Sequence, residues 1–354
     1  MATHVTDITD IVNSTLERYG KDFLVDVATN LQEYTAADIL LNKAKKLDGS
    51  GGTKYVFPLL TAGDDNAKAV GLFEVDNVDQ VDGTTQGEVP WRYLNTGATF
   101  DVKQLSVNSG AEKIFDFVKT KEMQMYISWY DLIEQYFWDG PSSSSDTKVP
   151  FGLLNYWLDY DATTGFNGGN HTNFSSGPAG IDCSTYSNWQ HFTANYAAVT
   201  DADLVRKMRE AHAKCYFKGI PNKPVKGASE GRPRFGMYTT YDTVRLLEEL
   251  LDSKNDNVGH ELAKYDGDVM FRGTPVKWVP YLENNHATSD PVIGLDWNSF
   301  SIAYPKGEWM RTTPYKPAPN QHDSRVRFLD CSMQYILQDR RRNFLIAKSD
   351  PLSD

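Results

Sequence analysis

The amino-acid sequence predicts an α+β protein in which strands and helices fall into separate stretches instead of alternating βαβ units. Three observations predict it. An alternating apolar segment starts at Lys54 and turns back through a Gly/Asp/Asn cluster, a single long helical pattern covers residues 109–138, and strand character returns over residues 326–335.

Residues 1–53 read as an arm. Ile8, Val12 and Leu16 share one helical face, and Phe23, Val27 and Leu31 share another. Thr35 followed by Asp38 has the spacing of a capping box and opens a third helix containing Ile39 and Leu40. Asp48-Gly-Ser-Gly-Gly52 then breaks the chain. Small amphipathic helices ending in a glycine hinge have little core of their own.

Residues 54–108 read as a long hairpin. Tyr55, Phe57 and Leu59 alternate, and strand character is expected again around Val70, Leu72 and Val75. Gly63, Asp64, Asp65 and Asn66, with Lys68 beside them, form the expected apex. An acidic, irregular stretch follows (Asp76, Asp79, Asp82, Gly83), and Trp91, Tyr93, Phe100 and Val102 resume the strand pattern.

Residues 109–149 carry the long helix. Ser109 is placed to cap it, and Ile114, Val118, Met125, Trp129, Leu132 and Tyr136 follow helical spacing. At ~1.5 Å per residue it runs about 40 Å, and Asp139-Gly-Pro-Ser-Ser-Ser-Ser145 stops it. Residues 150–290 are mixed. Thr200 and Asp203 cap a helix whose stripe is Leu204, Met208, Ala211 and Cys215, and Thr239 or Thr240 opens another with Val244, Leu247 and Leu251 inward. Between these two helices, residues 221–233 are a loop dense in Pro, Gly and Lys. In residues 291–354 the pattern Val326, Phe328, Cys331, Met333, Tyr335 describes a long strand whose imperfect alternation suggests a bulge.

Composition excludes several classes. The 354 residues, 40% hydrophobic and rich in Tyr and Phe, can fill a substantial core, so the chain is not a disordered polymer. A formal net charge of −11 opposes a surface built to grip nucleic acid. No segment has the ~18 consecutive apolar residues of a membrane span, and the first residues lack the basic head and apolar run of a secretory signal. Three widely spaced cysteines, Cys183, Cys215 and Cys331, read as free thiols of a reducing compartment, which makes the N-x-S/T triplets at Asn13, Asn170 and Asn173 incidental.

Candidate chemistry meets a plainer explanation each time. Gly227-Ala-Ser229-Glu-Gly231 matches a nucleophile elbow, with Asp296 and His322 downstream in hydrolase order, but prolines flank it where a strand and a helix are required. Cys183, His191, His212 and Cys215 could be assembled into a zinc site, yet only His212 and Cys215 are closely spaced. Asp76, Asp79 and Asp82 lack the alternate-position ligands and closing Glu of a calcium loop. Gly165-Phe-Asn-Gly-Gly-Asn170 has no strand–loop–helix context for phosphate and reads as a tight turn. Arg340-Arg341-Arg342 adjoins Asp339 and reads as a salt-bridge cluster or an interface contact. No active site, cofactor or metal is expected.

Several phrases, in this order, carry a resemblance: Pro150-Phe-Gly-Leu-Leu-Asn-Tyr-Trp157, Gly165-Phe-Asn-Gly-Gly169, Ala179-Gly-Ile181, Trp189, Tyr196, Val199-Thr-Asp, the helix at Met208-Arg, Gly273-Thr-Pro-Val-Lys-Trp-Val-Pro280, Pro319-Asn-Gln-His322 and Asp339-Arg-Arg-Arg-Asn-Phe344. With the element order, they make the chain similar to the major capsid proteins of tailed bacteriophages with the Hong Kong 97-type fold. The resemblance implies an N-terminal arm (1–53), an E-loop hairpin (54–108), a peripheral domain with its spine helix (109–149), an axial domain (150–290) and a return to the peripheral domain with a C-terminal tail (291–354). It implies a structural, non-enzymatic subunit that assembles in the host cytoplasm, through pentamers and hexamers, into an icosahedral virion shell around double-stranded DNA. The expected partners are a separate scaffolding protein, a portal and, where one exists, a decoration protein. No membrane and no sequence-specific DNA contact is expected. Some relatives join subunits covalently through a hairpin Lys and a peripheral Asn assisted by a Glu. Here Lys68 could donate, but Arg325 and Ser332 stand near the other two positions, which implies a non-covalent shell. An encapsulin-type compartment shares the fold, and a secreted carbohydrate-active protein would account for the aromatic content.

Overall fold

The computed structural model describes residues 34–49, 51–63, 66–75, 82–107, 111–217, 233–252, 269–319 and 321–353. The helices expected over residues 8–16 and 23–31, the Ser109 cap, the acidic stretch 76–81 and most of the 221–233 loop lie outside them.

In chain order, α1 (Thr35–Asp38) runs into a π-type turn over Ile39–Lys43, and β1 (Lys45–Gly49) follows. Next come β2 (Lys54–Leu60), β3 (Thr84–Pro90), β4 (Arg92–Asp101), the short α2 (Val102–Val107) and the long α3 (Ala111–Trp138). The middle of the chain holds β5 (Gly165–Gly168), β6 (His191–Asn195), α4 (Arg206–Cys215), β7 (Phe235–Thr239), α5 (Tyr241–Asp252), β8 (Met270–Phe271), β9 (Thr274–Trp278) and α6 (Pro280–Asn285). The last part is strand-rich: β10 (Val292–Asp296), β11 (Phe300–Pro305), β12 (Arg311–Thr312), β13 (Lys316–Ala318), the long β14 (Gln321–Leu337) and β15 (Phe344–Ala347).

β14 organises one half of the molecule. Its 17 residues pair antiparallel with β4 from Ser324↔Asp101 to Met333↔Arg92, and on the other edge with β11, β12 and β13 in turn. The bulge expected within residues 326–335 is not seen against β4, where the register runs unbroken to Met333; the strand's register shift lies further up, against β13, where Pro317 pairs with Arg325 and Ala318 with Gln321. α3 packs against β4, burying Met125, Trp129, Ile133 and Phe137, one residue per turn. Leu132 and Tyr136, expected in that stripe, lie half-buried on its flank. Phe137 meets Phe300 and Tyr335 edge-on, each at 5.6 Å, which locks the helix to β11 and β14. The helix stops at Gly140, whose φ of +79° suits glycine, and a Cβ there would come 2.2 Å from the Gly152 nitrogen.

The other half is a sheet in the order β5-β6-β15-β10-β7-β9-β8. Its strands alternate between two cores. Val292, Phe344 and Ile346 face Leu204, Met208, Ala211 and Cys215, the apolar stripe expected from the sequence, whereas Ile293, Leu295 and Leu345 face the aromatic core shared with α3.

Four local expectations are corrected. Thr35 does not cap its helix: Tyr34 is the N-cap residue, and the Ala36 N–H donates instead to Glu134 Oε2 on α3 at 2.8 Å. Asp48 and Gly49 do not break the chain, because β1 pairs parallel with β11 through Gly49↔Pro305; the described glycines with left-handed backbone are Gly51 (φ +120°) and Gly52 (φ +92°). Thr200 precedes its helix without a side-chain cap, and the Asp203 carboxylate takes the Ala197 and Ala198 N–H groups instead. Residues 165–168 are a strand against β6, not a tight turn.

Candidate functional site

The hairpin is anchored at its base and open at its tip. β2 and β3 pair from Lys54↔Pro90 to Leu60↔Thr84, and alternation sends Phe57 and Val89 into the main core beside Trp91. Beyond the ribbon, the Thr61 and Ala62 N–H groups both donate to the Gly83 carbonyl. From there the chain leaves the body. The strand expected around Val70, Leu72 and Val75 does not form, for a strand needs a partner edge and none of the described residues supplies one there.

That stretch forms a pinned turn instead. The Glu74 N–H donates to the Gly71 carbonyl at 3.3 Å, and the Gly71 N–H donates to Glu74 Oε2 at 2.8 Å. Lys68 Nζ donates to the Val75 carbonyl at 2.7 Å and lies 3.4 Å from Glu74 Oε1. Phe73 is held at φ +69°, the left-handed conformation that a turn's third residue adopts and that glycine normally fills. The cost is of order 1–2 kcal/mol for a residue with a side chain. Leu72 and Phe73 are 94% and 103% exposed. Of the expected apex residues, Gly63, Asn66 and Lys68 lie on this projecting segment, and Asp64 and Asp65 fall outside the described residues. Sequence reasoning treated the apex as polar. The signal against that was Val70-Gly-Leu-Phe-Glu-Val75, apolar on both faces of a would-be strand.

The other sequence candidates are absorbed into the interior. Ser229 lies outside the described residues, and Asp296 is fully buried: its Oδ1 accepts the Arg234 and Asn298 N–H groups, and its Oδ2 faces Arg342 at 3.6 Å. The cysteine–histidine quartet is split. Cys183 and His191 meet at Arg340, whereas His212 stacks on Tyr216 and Cys215 faces the Asn343 carbonyl. Among the described residues no group of three or more His, Cys, Asp or Glu side chains is placed to hold a metal ion. No described helix is long and apolar enough to cross a membrane.

The arginine run is an interior fastening. Arg341 pairs with Asp339 at the surface, and Arg342 sits fully buried between Asp296 and Asp339, 3.6 Å from each. Arg340, also fully buried, uses its whole guanidinium fork. Nε donates to the Trp157 carbonyl at 2.9 Å, Nη1 to Cys183 Sγ (2.9 Å) and the Trp189 carbonyl (3.3 Å), and Nη2 to the Gly169 carbonyl (3.1 Å) and His191 Nδ1 (3.0 Å). His191 accepts there, and burial, then the guanidinium charge, hold its pKa well below the ordinary value. Burial pushes the nearby Asp159 carboxyl up to about 6, against the pull of Arg340.

Two positioning residues gave no sequence signal. Glu134 is buried on α3 and accepts from both the Ala36 N–H and Trp138 Nε1 (2.7 Å), which ties α1 to the long helix. Asp139, at the helix end, takes the Tyr281 hydroxyl at 2.6 Å and faces His286 Nε2 at 2.7 Å. Only the fold brings these partners within reach.

No protein-family model matches the chain, and no curated protein sequence does either. Solved structures match it over nearly its full length. A cyanophage A-1(L) capsid asymmetric unit is 15% identical, with a TM-score of 0.61, covering 94% of this chain and 98% of that one. The capsid of a native GTA particle is 13% identical with a TM-score of 0.54, covering 92% and 96%. The capsid of Myoviridae phage XM1 is 11% identical with a TM-score of 0.52, covering 95% and 98%. The chain has the α+β fold of the tailed-phage major capsid proteins, the Hong Kong 97 type.

Proposed function

We propose that this chain is a major capsid protein, a structural, non-enzymatic subunit that assembles through pentamers and hexamers into an icosahedral shell around the double-stranded DNA of a tailed phage. The observation that carries the reading is the whole-length capsid fold combined with a hairpin tip that the described residues leave uncovered. A subunit with such a projection buries it only on a neighbour, and closed symmetry is what prevents that repeated contact from running on into fibres. The buried arginines support the same reading, since the strongest basic run is spent inside the subunit and leaves an acidic chain that encloses DNA without clamping it. A separate scaffolding protein, a portal and assembly in the host cytoplasm belong to this proposal.

Negative-stain electron microscopy and sedimentation of the purified protein, alone and co-expressed with its scaffolding partner, test it. Closed shells of uniform diameter are expected. A strictly monomeric species at high concentration in both preparations would overturn the reading.

A further inference from the structure

We infer that His286 is a proton-held latch: with both ring nitrogens protonated it ties the Asp139 carboxylate at the end of α3 to the Pro351 carbonyl, and on losing one proton it lets that carbonyl go. The latch works within a single subunit and stands apart from the shell reading. His286 follows α6 directly and is buried. Its Nδ1 lies 2.9 Å from the Pro351 carbonyl, and its Nε2 lies 2.7 Å from Asp139 Oδ1. A carbonyl can only accept. The carboxylate is an acceptor on its far side too, where Oδ2 takes the Tyr281 hydroxyl at 2.6 Å. Burial, then the Asp139 charge, push that phenol above its ordinary range, so it keeps its proton and goes on donating. The imidazole therefore stands between two acceptors, whereas a neutral ring has one N–H and one lone pair. Only the doubly protonated ring satisfies both sides. When one proton leaves, the remaining N–H stays with the carboxylate, the stronger acceptor. A bare nitrogen lone pair then faces the Pro351 carbonyl, and that contact turns repulsive.

The segment on the far side of the latch has separate fastenings at its start. The Lys348 N–H donates to the Ser289 carbonyl at 2.7 Å, and Lys348 Nζ pairs with Asp290. Pro351 comes three residues later, so losing its contact frees the end of the segment before the beginning. Among the described residues, the titratable and charged groups about His286 are Asp139 and Glu134 on α3, Tyr281 and Glu283 on α6, Asp290 with its partner Lys348, and Asp350 beside Pro351. With Lys348 matched by Asp290, this set is acidic and favours the imidazolium. The closed latch holds one proton more than the open one, which fixes the sign. Residues 348–353 are fastened at low pH and released as pH rises through the range in which imidazoles titrate.

Hydrogen–deuterium exchange of the full-length protein tests this, with protection over residues 348–353 corrected for the intrinsic exchange rate at each pH. From pH 5.5 to 8.5 the wild type should lose protection there about tenfold, as expected for one hydrogen bond from a charged donor. Asp139→Asn separates a latch from a merely structural contact. Its amide can donate to Nε2, so a neutral ring keeps Nδ1–H on the Pro351 carbonyl, and protection should stay high at both pH values (the mass being checked to exclude deamidation back to the acid). His286→Gln should be open at both; if it does not fold, the wild-type and Asp139→Asn profiles decide. The rival group is Asp159, which is pushed up to about 6 and feels the Asp350 charge. Asp159→Asn should leave the wild-type step in place, and loss of the step there would move the switch to Asp159 and overturn the latch. Equal protection of the wild type at both pH values would overturn it as well, and so would an Asp139→Asn variant that keeps the step or is open throughout.

Discussion

Replacing Arg340 should unfold more of the subunit than any surface charge does. In Arg340→Met the aliphatic stem is kept and the guanidinium removed. Three carbonyls (Trp157, Gly169, Trp189) and the His191 imidazole then lose their donors in a region closed to water. An unmade buried hydrogen bond costs about 1–3 kcal/mol, and carbonyls tolerate the loss better than N–H groups. The low end for the three carbonyls gives about 3 kcal/mol, and including His191 gives about 4–5 kcal/mol. Removing a buried charge also relieves its desolvation, but that relief is large only when the partners become apolar as well, and here they stay polar. Against a total stability of about 5–15 kcal/mol, the variant should melt far below the wild type or fail to accumulate. Arg340→Lys offers three donors without the planar fork and should cost about 2–3 kcal/mol. Urea unfolding of the unassembled subunit, followed by tryptophan fluorescence, measures both, with Trp157 and Trp189 at the fastening itself. An Arg340→Met subunit with the wild-type midpoint would refute the reasoning.

Further outcomes follow from other features. Asp159, pushed up to about 6 by burial, keeps a proton that the unfolded chain releases near pH 4. Its contribution is therefore full below about pH 4 and is lost as pH rises through 6, by up to about 3 kcal/mol; Asp159→Asn should be more stable than the wild type at pH 7.5 and level with it at pH 4 in denaturant titrations. Glu134→Ala orphans the Ala36 and Trp138 N–H groups and should cost about 2–4 kcal/mol, with limited proteolysis cutting sooner around residues 45–50. Shortening the hairpin between residues 62 and 69 should preserve cooperative melting but abolish shells; intact shells, or loss of the melt, would contradict this. Particles boiled in detergent without reductant should run as one band near 39.9 kDa. The three cysteines are free and buried, and burial raises the Cys331 thiol to about 11, so no interchain disulfide is expected.

Much of the architecture was legible because it is periodic. The long helix, the β14 pattern and the Leu204–Met208–Ala211–Cys215 stripe each repeat an apolar signal that burial then honours. What escaped was set by partners distant in sequence. Thr35 looked like a cap, but the cap came from Glu134; Asp48 and Gly49 looked like a hinge, but β11 supplied an edge for them. Val70 and Leu72 share one face but Phe73 and Val75 fall on the other, so there was no clean alternation, and with no partner edge among the described residues the stretch gave a turn. The arginine run was read as a salt-bridge cluster or an interface contact; Arg341 and Arg342 do pair with carboxylates, but Arg340 bonds carbonyls, a thiol and an imidazole, and nothing local says that two of three consecutive arginines are sealed from water.

The pairing of β4 with β14 also sets a timetable. Asp101 can meet Ser324 only after the whole intervening chain has been made. At about 5–20 residues per second of synthesis, those 324 − 101 = 223 residues take about 11–45 s. α3 is translated immediately after β4 and can shelter one face of it early, but the hydrogen-bonding edge of β4 stays bare for the whole interval. β1 waits still longer for β11. Nascent subunits crowded on one messenger therefore expose ten-residue strand edges to one another, and such edges pair readily with the wrong copy. Yield of correctly folded subunit should accordingly depend more on translation density and temperature than on the stability of the finished protein.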